Sequence, residues 1–126
     1  DQFTFEYTYD EDNTDPQLVG EWYKIRTDYY TSQGDYSTTP AEEGKYVDLF
    51  FYADGHYEDE VIQNGNSDRQ TGEWNVVFDV LRTYYDNGEL IVNRYDVKGN
   101  RLTFIIRTYD KKLDEVITVE EIYEKE

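Results

Sequence analysis

Turn-forming residues divide most of this chain into short segments that are rich in β-branched and aromatic side chains. The clearest turns are Ala53-Asp54-Gly55, Asn64-Gly65-Asn66, Asn87-Gly88 and Lys98-Gly99-Asn100. Asn, Asp and Gly tolerate the positive φ angles that tight hairpin turns require. Strands that are joined by such turns lie antiparallel to each other, so the chain is constrained to an antiparallel β fold.

The segments between the turns predict eight strands. Their approximate bounds are 18–30, 46–53, 56–63, 70–77, 79–86, 89–97, 101–109 and 114–124. Only Phe78-Asp79 separates the fourth strand from the fifth. An open sheet of this size exposes two edges, and closure removes both. We therefore predict an all-β fold, an antiparallel eight-stranded up-and-down barrel over residues 18–126.

The longest loop of the predicted barrel follows the first strand and contains the one helical signal. In residues 37–44, Thr39 can cap a helix, Pro40 suits its first position and Gly44 ends it. This predicts a single helical turn, at a place where a barrel would carry a lid.

Residues 1–17 differ in composition and are predicted to be an N-terminal arm or linker. Phe3, Phe5, Tyr7 and Tyr9 alternate with polar residues, as in a strand with one apolar face. An acidic run, 10–15, follows and ends at Pro16. The arm either adds an extra strand to the sheet or becomes ordered only against a neighbouring molecule.

The composition excludes several function classes. With 29 acidic and 12 basic residues the chain carries a net charge of -17, and it lacks a basic stripe that could bind a phosphate backbone. The absence of cysteine excludes thiolate chemistry, and His56 is the only histidine, so neither a catalytic triad nor a histidine metal site is expected. No apolar run approaches the ~20 residues of a membrane span. We predict no nucleic-acid partner, no metal and no cofactor.

Five pieces of sequence occur in the order in which a known family has them. They are Gly20-Glu21-Trp22, the segment 49–57 with its Ala-Asp-Gly turn, Gly72-Glu73-Trp74, the hairpin 95–102, and Tyr123-Glu124-Lys125. In this ordered set, residues 18–125 resemble the lipocalin-like domains of secreted bacterial lipoproteins, particularly those of Bacteroidetes. The resemblance implies a barrel whose closed end is plugged by the first Trp.

The resemblance also implies an exported protein. Such domains follow a lipoprotein signal and an anchoring cysteine, and a chain that starts at Asp1 and contains no methionine fits a processed product. We therefore expect a lipid anchor upstream of Asp1 and an extracytoplasmic location, in the periplasm or at the outer membrane or cell surface. One departure is that lipocalins stack a late Arg on the first Trp, whereas here that cation has to be Lys125 or Arg107.

Two sets of residues are candidates for roles in the barrel. Gly20, Trp22, Gly72 and Trp74 are predicted to form a structural plug, because each glycine lets an indole pack where a side chain is missing. A second set of tyrosines lies near predicted strand ends and can line a barrel mouth: Tyr29, Tyr57, Tyr85 and Tyr95. The alternative is that these tyrosines are only good strand formers.

Acidic residues on one predicted strand give the only hint of catalysis. Alternation along the strand places Asp59 on the opposite face from Glu58 and Glu60, so one face carries charge into the barrel. Paired carboxylates can hydrolyse glycosides, but a chain this acidic produces such pairs by chance.

The sequence therefore predicts a non-enzymatic barrel that binds a small apolar or amphipathic ligand in its mouth. The alternative is a protein-interaction or inhibitor domain that uses the acidic, tyrosine-rich surface and the N-terminal strand.

Overall fold

The computed structural model describes residues 14–126 and contains all eight predicted strands together with one more. The strands are β1 Gly20–Thr31, β2 Gly34–Thr38, β3 Lys45–Phe51, β4 His56–Gln63, β5 Asn66–Val77, β6 Val80–Tyr85, β7 Leu90–Lys98, β8 Arg101–Asp110 and β9 Glu115–Lys125. The further strand that was predicted in the N-terminal arm lies outside the described residues.

The eight predicted strands close into an antiparallel barrel. The order is β1-β3-β4-β5-β6-β7-β8-β9, and β9 pairs with β1 from Trp22 opposite Lys125 to Tyr30 opposite Thr118. A bulge between Lys24 and Arg26 interrupts this closing ladder. The prediction of an up-and-down barrel is confirmed.

The additional strand, β2, pairs with the C-terminal half of β1. Gly20–Tyr23 pair with β3, whereas Thr27–Thr31 pair with β2. The sequence predicts a loop at β2, because its five residues lack an apolar face, and in the structure none of its side chains is buried. The predicted helical turn is present as α1, Pro40–Glu43, and joins β2 to β3. Thr39 and Glu42 form a reciprocal capping box at its start.

A 3-10 helix, Pro16–Leu18, seals one end of the barrel. Leu18 and Trp22 are fully buried there, and the indole N–H of Trp22 donates to the carbonyl oxygen of Leu18 at 2.8 Å. On the other side of this end, the Tyr95 hydroxyl donates to the Asp15 carboxylate at 2.7 Å. Residues 15–18 are thus bound to both β1 and β7.

The glycine of each Gly-x-Trp motif makes room for a different neighbour. At Gly20 a Cβ would lie 2.7 Å from Cε of Lys125, whose ammonium lies 5.3 Å from the centre of the Trp22 ring. Lys125 is therefore the cation on the first Trp. At Gly72 a Cβ would lie 2.1 Å from the carbonyl oxygen of Tyr84. The closest neighbour is thus the Lys125 side chain at Gly20 and the β6 backbone at Gly72.

The core occupies the closed half of the barrel. Trp74 meets Phe51 edge to face with ring centres 5.2 Å apart, and its N–H donates to the carbonyl oxygen of Tyr52. Four further apolar residues are buried around them: Leu49, Val76, Leu102 and Phe104. Among residues 14–126 there is no helix with the length and apolar character that crossing a bilayer would require.

The β5–β6 turn contains a strained, exposed aromatic residue. Phe78 has a φ of 58° and a relative exposure of 92%. A side chain at such a φ costs about 1 kcal/mol or more, and this ring regains little of that cost by burial. We expect Phe78→Gly to exceed Phe78→Ala in free energy of unfolding by about 1 kcal/mol, as measured by urea denaturation. Equal stabilities would mean that the turn is not strained.

Candidate functional site

The open half of the barrel contains a cavity of about 210 Å³. Its apolar wall includes Leu49, Phe51, Leu81 and Phe104. Its polar residues are Lys24, Lys45, Tyr57, Asp59, Thr83, Tyr85, Asn93, Glu121 and Tyr123. A single water needs only about 10–15 Å³ of cavity volume, so this space suits a small ligand. A wall that is apolar with a few convergent polar groups is the usual composition of a ligand site.

A gap in the sheet adds a side opening to the barrel. The β7–β8 ladder joins only Arg94–Lys98 with Arg101–Ile105, so in the described chain Leu90–Asn93 pair with β6 alone. Likewise, Ile106–Asp110 pair only with β9. Ile91 and Asn93 line the cavity beside this gap. The cavity is therefore bordered by a split between β7 and β8.

The main polar feature of the cavity is a buried carboxylate that is held by two tyrosines. Asp59 is 7% exposed, and its Oδ2 accepts hydrogen bonds from the hydroxyls of Tyr57 at 2.9 Å and Tyr85 at 2.7 Å. The two rings meet edge to face with centres 5.8 Å apart. Hydrogen bonds to a charged acceptor are about twice as strong as neutral ones, so this cluster is fixed in place.

Gly72 allows this cluster to form. On the inner face of the sheet, Gly72 lies opposite Tyr57 on β4 and opposite Tyr85 on β6. Because Gly72 has no side chain, the two tyrosines can approach each other across β5. The second Gly-x-Trp motif therefore shapes the cavity as well as the core.

The three tyrosines of the cavity keep their protons. Burial, followed by the neighbouring Tyr85 and Asp59, raises the pKa of Tyr57 far above its ordinary value. Burial and the hydrogen bond to Asp59 raise the pKa of Tyr85, and burial beside Glu121 raises that of Tyr123. These phenols are therefore hydrogen-bond donors to carboxylates and do not act as bases near neutral pH.

A second charged group lies on the β1–β9 side of the cavity. The ammonium of Lys24 is 3.6 Å from Glu121 Oε2, and Tyr123 donates to Glu121 Oε1 at 3.4 Å. The Lys24 side chain is only 9% exposed. Lys24 and Glu121 thus balance each other's charge inside the barrel.

The structure separates the four candidate tyrosines into two groups. Tyr57 and Tyr85 line the cavity and bind Asp59. Tyr29 instead stacks on Tyr36 with ring centres 4.7 Å apart and donates to Glu43, near α1. Tyr95 points to the closed end, where it donates to Asp15. Strand alternation could not separate these positions, because depth along the barrel depends on the register of all eight strands.

The neighbours of Asp59 face outward, as the alternation indicated. Glu58 lies 3.4 Å from Arg69 and 3.6 Å from His56 on the surface, and Glu60 accepts from Ser67 at 2.6 Å. Asp59 is therefore the only one of the three acids that faces the cavity. Among residues 14–126, no three His, Asp or Glu side chains are grouped as metal ligands.

Lys24 and Glu121 were missed by the sequence analysis, although alternation could have found them. Lys24 follows Trp22 at a spacing of two, and Glu121 lies between Val119 and Tyr123 at the same spacing. A charged residue on an otherwise apolar strand face indicates an interior group that needs a partner.

The fold is that of a lipocalin-like barrel. The crystal structure of a lipocalin-like protein from Bacteroides uniformis superposes with a TM-score of 0.57 at 14% identity, covering 87% of this chain and 99% of that one. The lipoprotein YedD from Klebsiella pneumoniae superposes with a TM-score of 0.54 at 10% identity, covering 92% of this chain and 77% of that one. No protein-family profile and no curated protein sequence matches the chain. At these identities the likeness concerns the fold.

Proposed function

We propose that this protein is a non-enzymatic binding protein that holds a small amphipathic ligand in its barrel cavity. The observation that carries the proposal is the cavity of about 210 Å³, which has an apolar wall and the Asp59–Tyr57–Tyr85 cluster in one open space. A barrel that served only as a rigid scaffold would gain stability by filling this space with apolar side chains.

The chemistry of the lining supports binding over catalysis. Tyr57 and Tyr85 direct their protons onto Asp59, and Lys24 is paired with Glu121. Each of these groups has a hydrogen-bond or ion-pair partner within the protein. The raised pKa values of Tyr57 and Tyr85 also disfavour proton transfer at neutral pH.

We also propose that the protein is an extracytoplasmic bacterial lipoprotein. Support comes from the motif order described above and from the fold shared with YedD, which is itself a lipoprotein. Metabolic labelling of the full-length precursor with a fatty acid would test this, because a lipid-anchored product retains the label.

Binding can be tested with a variant that fills the cavity. Val61 lines the cavity on β4, whereas Val92 lies half exposed on the outer face of β7. We expect Val61→Phe to abolish the binding of 2-phenylethanol, as followed by amide chemical shifts in NMR titrations, and Val92→Phe to preserve it. If 2-phenylethanol shifts the resonances of cavity-lining residues equally in Val61→Phe and in the unmodified protein, ligand binding at this site is refuted.

A further inference from the structure

The geometry points to a small organic cation, with a primary ammonium group on an apolar body, as the class of ligand that this cavity prefers. The inference rests on the proposed function and concerns the Asp59 cluster. It follows from the unused bonding capacity of Asp59, the surrounding tyrosine rings and the distribution of charge in the cavity.

Asp59 has an acceptor that the protein leaves unused. Both tyrosine hydroxyls donate to Oδ2, and no hydrogen bond among the described residues engages Oδ1. Within the same residues, the only fully buried side-chain oxygen or nitrogen without a partner is Oγ1 of Thr27. Asp59 Oδ1 therefore retains access to the cavity, where it can accept from a ligand.

The charge of Asp59 is not balanced by a cation of the protein. No ion pair in the described part of the chain includes Asp59, whereas Lys24 is already paired with Glu121. Lys45, the other cation of the lining, lies four residues from Leu49 along β3, and Leu49 is opposite Asp59. That separation is about 13 Å along the strand. A ligand ammonium at Asp59 would thus supply the missing positive charge.

The groups around Asp59 offer acceptors more than donors. Tyr57 and Tyr85 use their protons on Asp59, so their oxygens can only accept from a ligand. Their rings, set edge to face, also present a π surface that attracts a cation. An ammonium group has three donors and no acceptor, which matches this arrangement. A ligand carboxylate beside Asp59 would meet a like charge, and the two tyrosines there have no proton left to donate to it.

Three ligands with one skeleton can test the preference: 2-phenylethylamine, 2-phenylethanol and phenylacetate. The amine, like the lysine ammonium, is charged at pH 7. From the strength of charge-assisted hydrogen bonds, we expect the amine to bind the intact protein about tenfold more tightly than the alcohol, with the carboxylate weakest. NMR titration gives each Kd and shows whether the shifts lie at the cavity.

The variant Asp59→Asn keeps the shape of the side chain and removes its charge. We expect it to bind the amine and the alcohol with nearly equal Kd, while Glu60→Gln, an outward-facing control on the same strand, retains the tenfold difference. If Asp59→Asn does not fold, the ranking of the three ligands on the unmodified protein still decides the question.

The outcomes separate the two proposals. If the alcohol binds as tightly as the amine, or the carboxylate binds most tightly, the cation preference is overturned and the binding function stands. If none of the three ligands shifts cavity resonances, both proposals fail. A tenfold preference that survives in Asp59→Asn would place the recognition of the cation elsewhere and overturn the role of Asp59.

Discussion

Trp22→Ala is expected to lower the free energy of unfolding by about 3–5 kcal/mol, which is the usual cost of removing a fully buried aromatic side chain. Trp22 is 0% exposed, donates to the carbonyl oxygen of Leu18 and lies under the ammonium of Lys125. Its removal therefore opens the closed end and breaks the hydrogen bond that joins the 3-10 helix to β1. Since single domains have only about 5–15 kcal/mol of stability, the variant is expected to be close to unfolding.

One further variant tests the hydrogen bond of Trp22, and a second serves as a control. Trp22→Phe keeps an aromatic ring but leaves the buried Leu18 carbonyl without its donor, at a cost of about 1–3 kcal/mol. Tyr46→Ala removes an aromatic residue that is 50% exposed and is expected to change stability by about 0.5 kcal/mol or less. Urea denaturation followed by circular dichroism measures all three. A loss below about 1 kcal/mol in Trp22→Ala would show that the plug does not hold the barrel closed.

Gly72→Ala is expected to have the second large effect, a loss of about 3 kcal/mol or more. The new Cβ would lie 2.1 Å from the carbonyl oxygen of Tyr84 and 2.9 Å from Cα of Tyr85. These are backbone atoms, so no side-chain rotation relieves the clash and β5 and β6 must separate. The movement would displace Tyr85 from Asp59, and we expect ligand affinity to fall together with stability.

Gly88→Ala provides the control for Gly72→Ala. A Cβ at Gly88 meets no atom within 4 Å, but the φ of 94° is unfavourable for alanine. This variant is expected to lose about 1 kcal/mol from strain alone and to keep its ligand affinity. Urea denaturation gives the stabilities, and NMR titration with 2-phenylethanol gives the affinities. If both variants lose the same stability and neither loses affinity, the close approach of β5 and β6 at Gly72 is not important for the site.

Local patterns were sufficient for most of the architecture. The turns at Asn64-Gly65 and Asn87-Gly88 fix where strands end, and period-2 alternation indicates which face is apolar. β2 could not be predicted, because its five polar residues form a strand only through hydrogen bonds to β1. The Phe78 turn was the weakest boundary in the sequence for a related reason, since it places an aromatic residue at a φ that usually favours glycine.

The candidate site could be predicted only in part. Alternation separated Asp59 from Glu58 and Glu60, because that separation depends on neighbouring residues of a single strand. It could not show that Tyr57 and Tyr85 meet at Asp59, which requires the register of β4, β5 and β6 with Gly72 between them. The pairing of Lys24 with Glu121 likewise exists only because β9 closes onto β1.

By itself, then, the sequence determined the antiparallel strands, their turns, the helical turn α1 and the barrel that follows from them, because these depend on backbone preferences and on alternation over a few residues. Only the tertiary structure decided which cation lies on Trp22, which tyrosines reach the cavity and which carboxylate remains without a cation. Those contacts join residues from distant parts of the chain, and their distances are set by the register around the whole closed sheet.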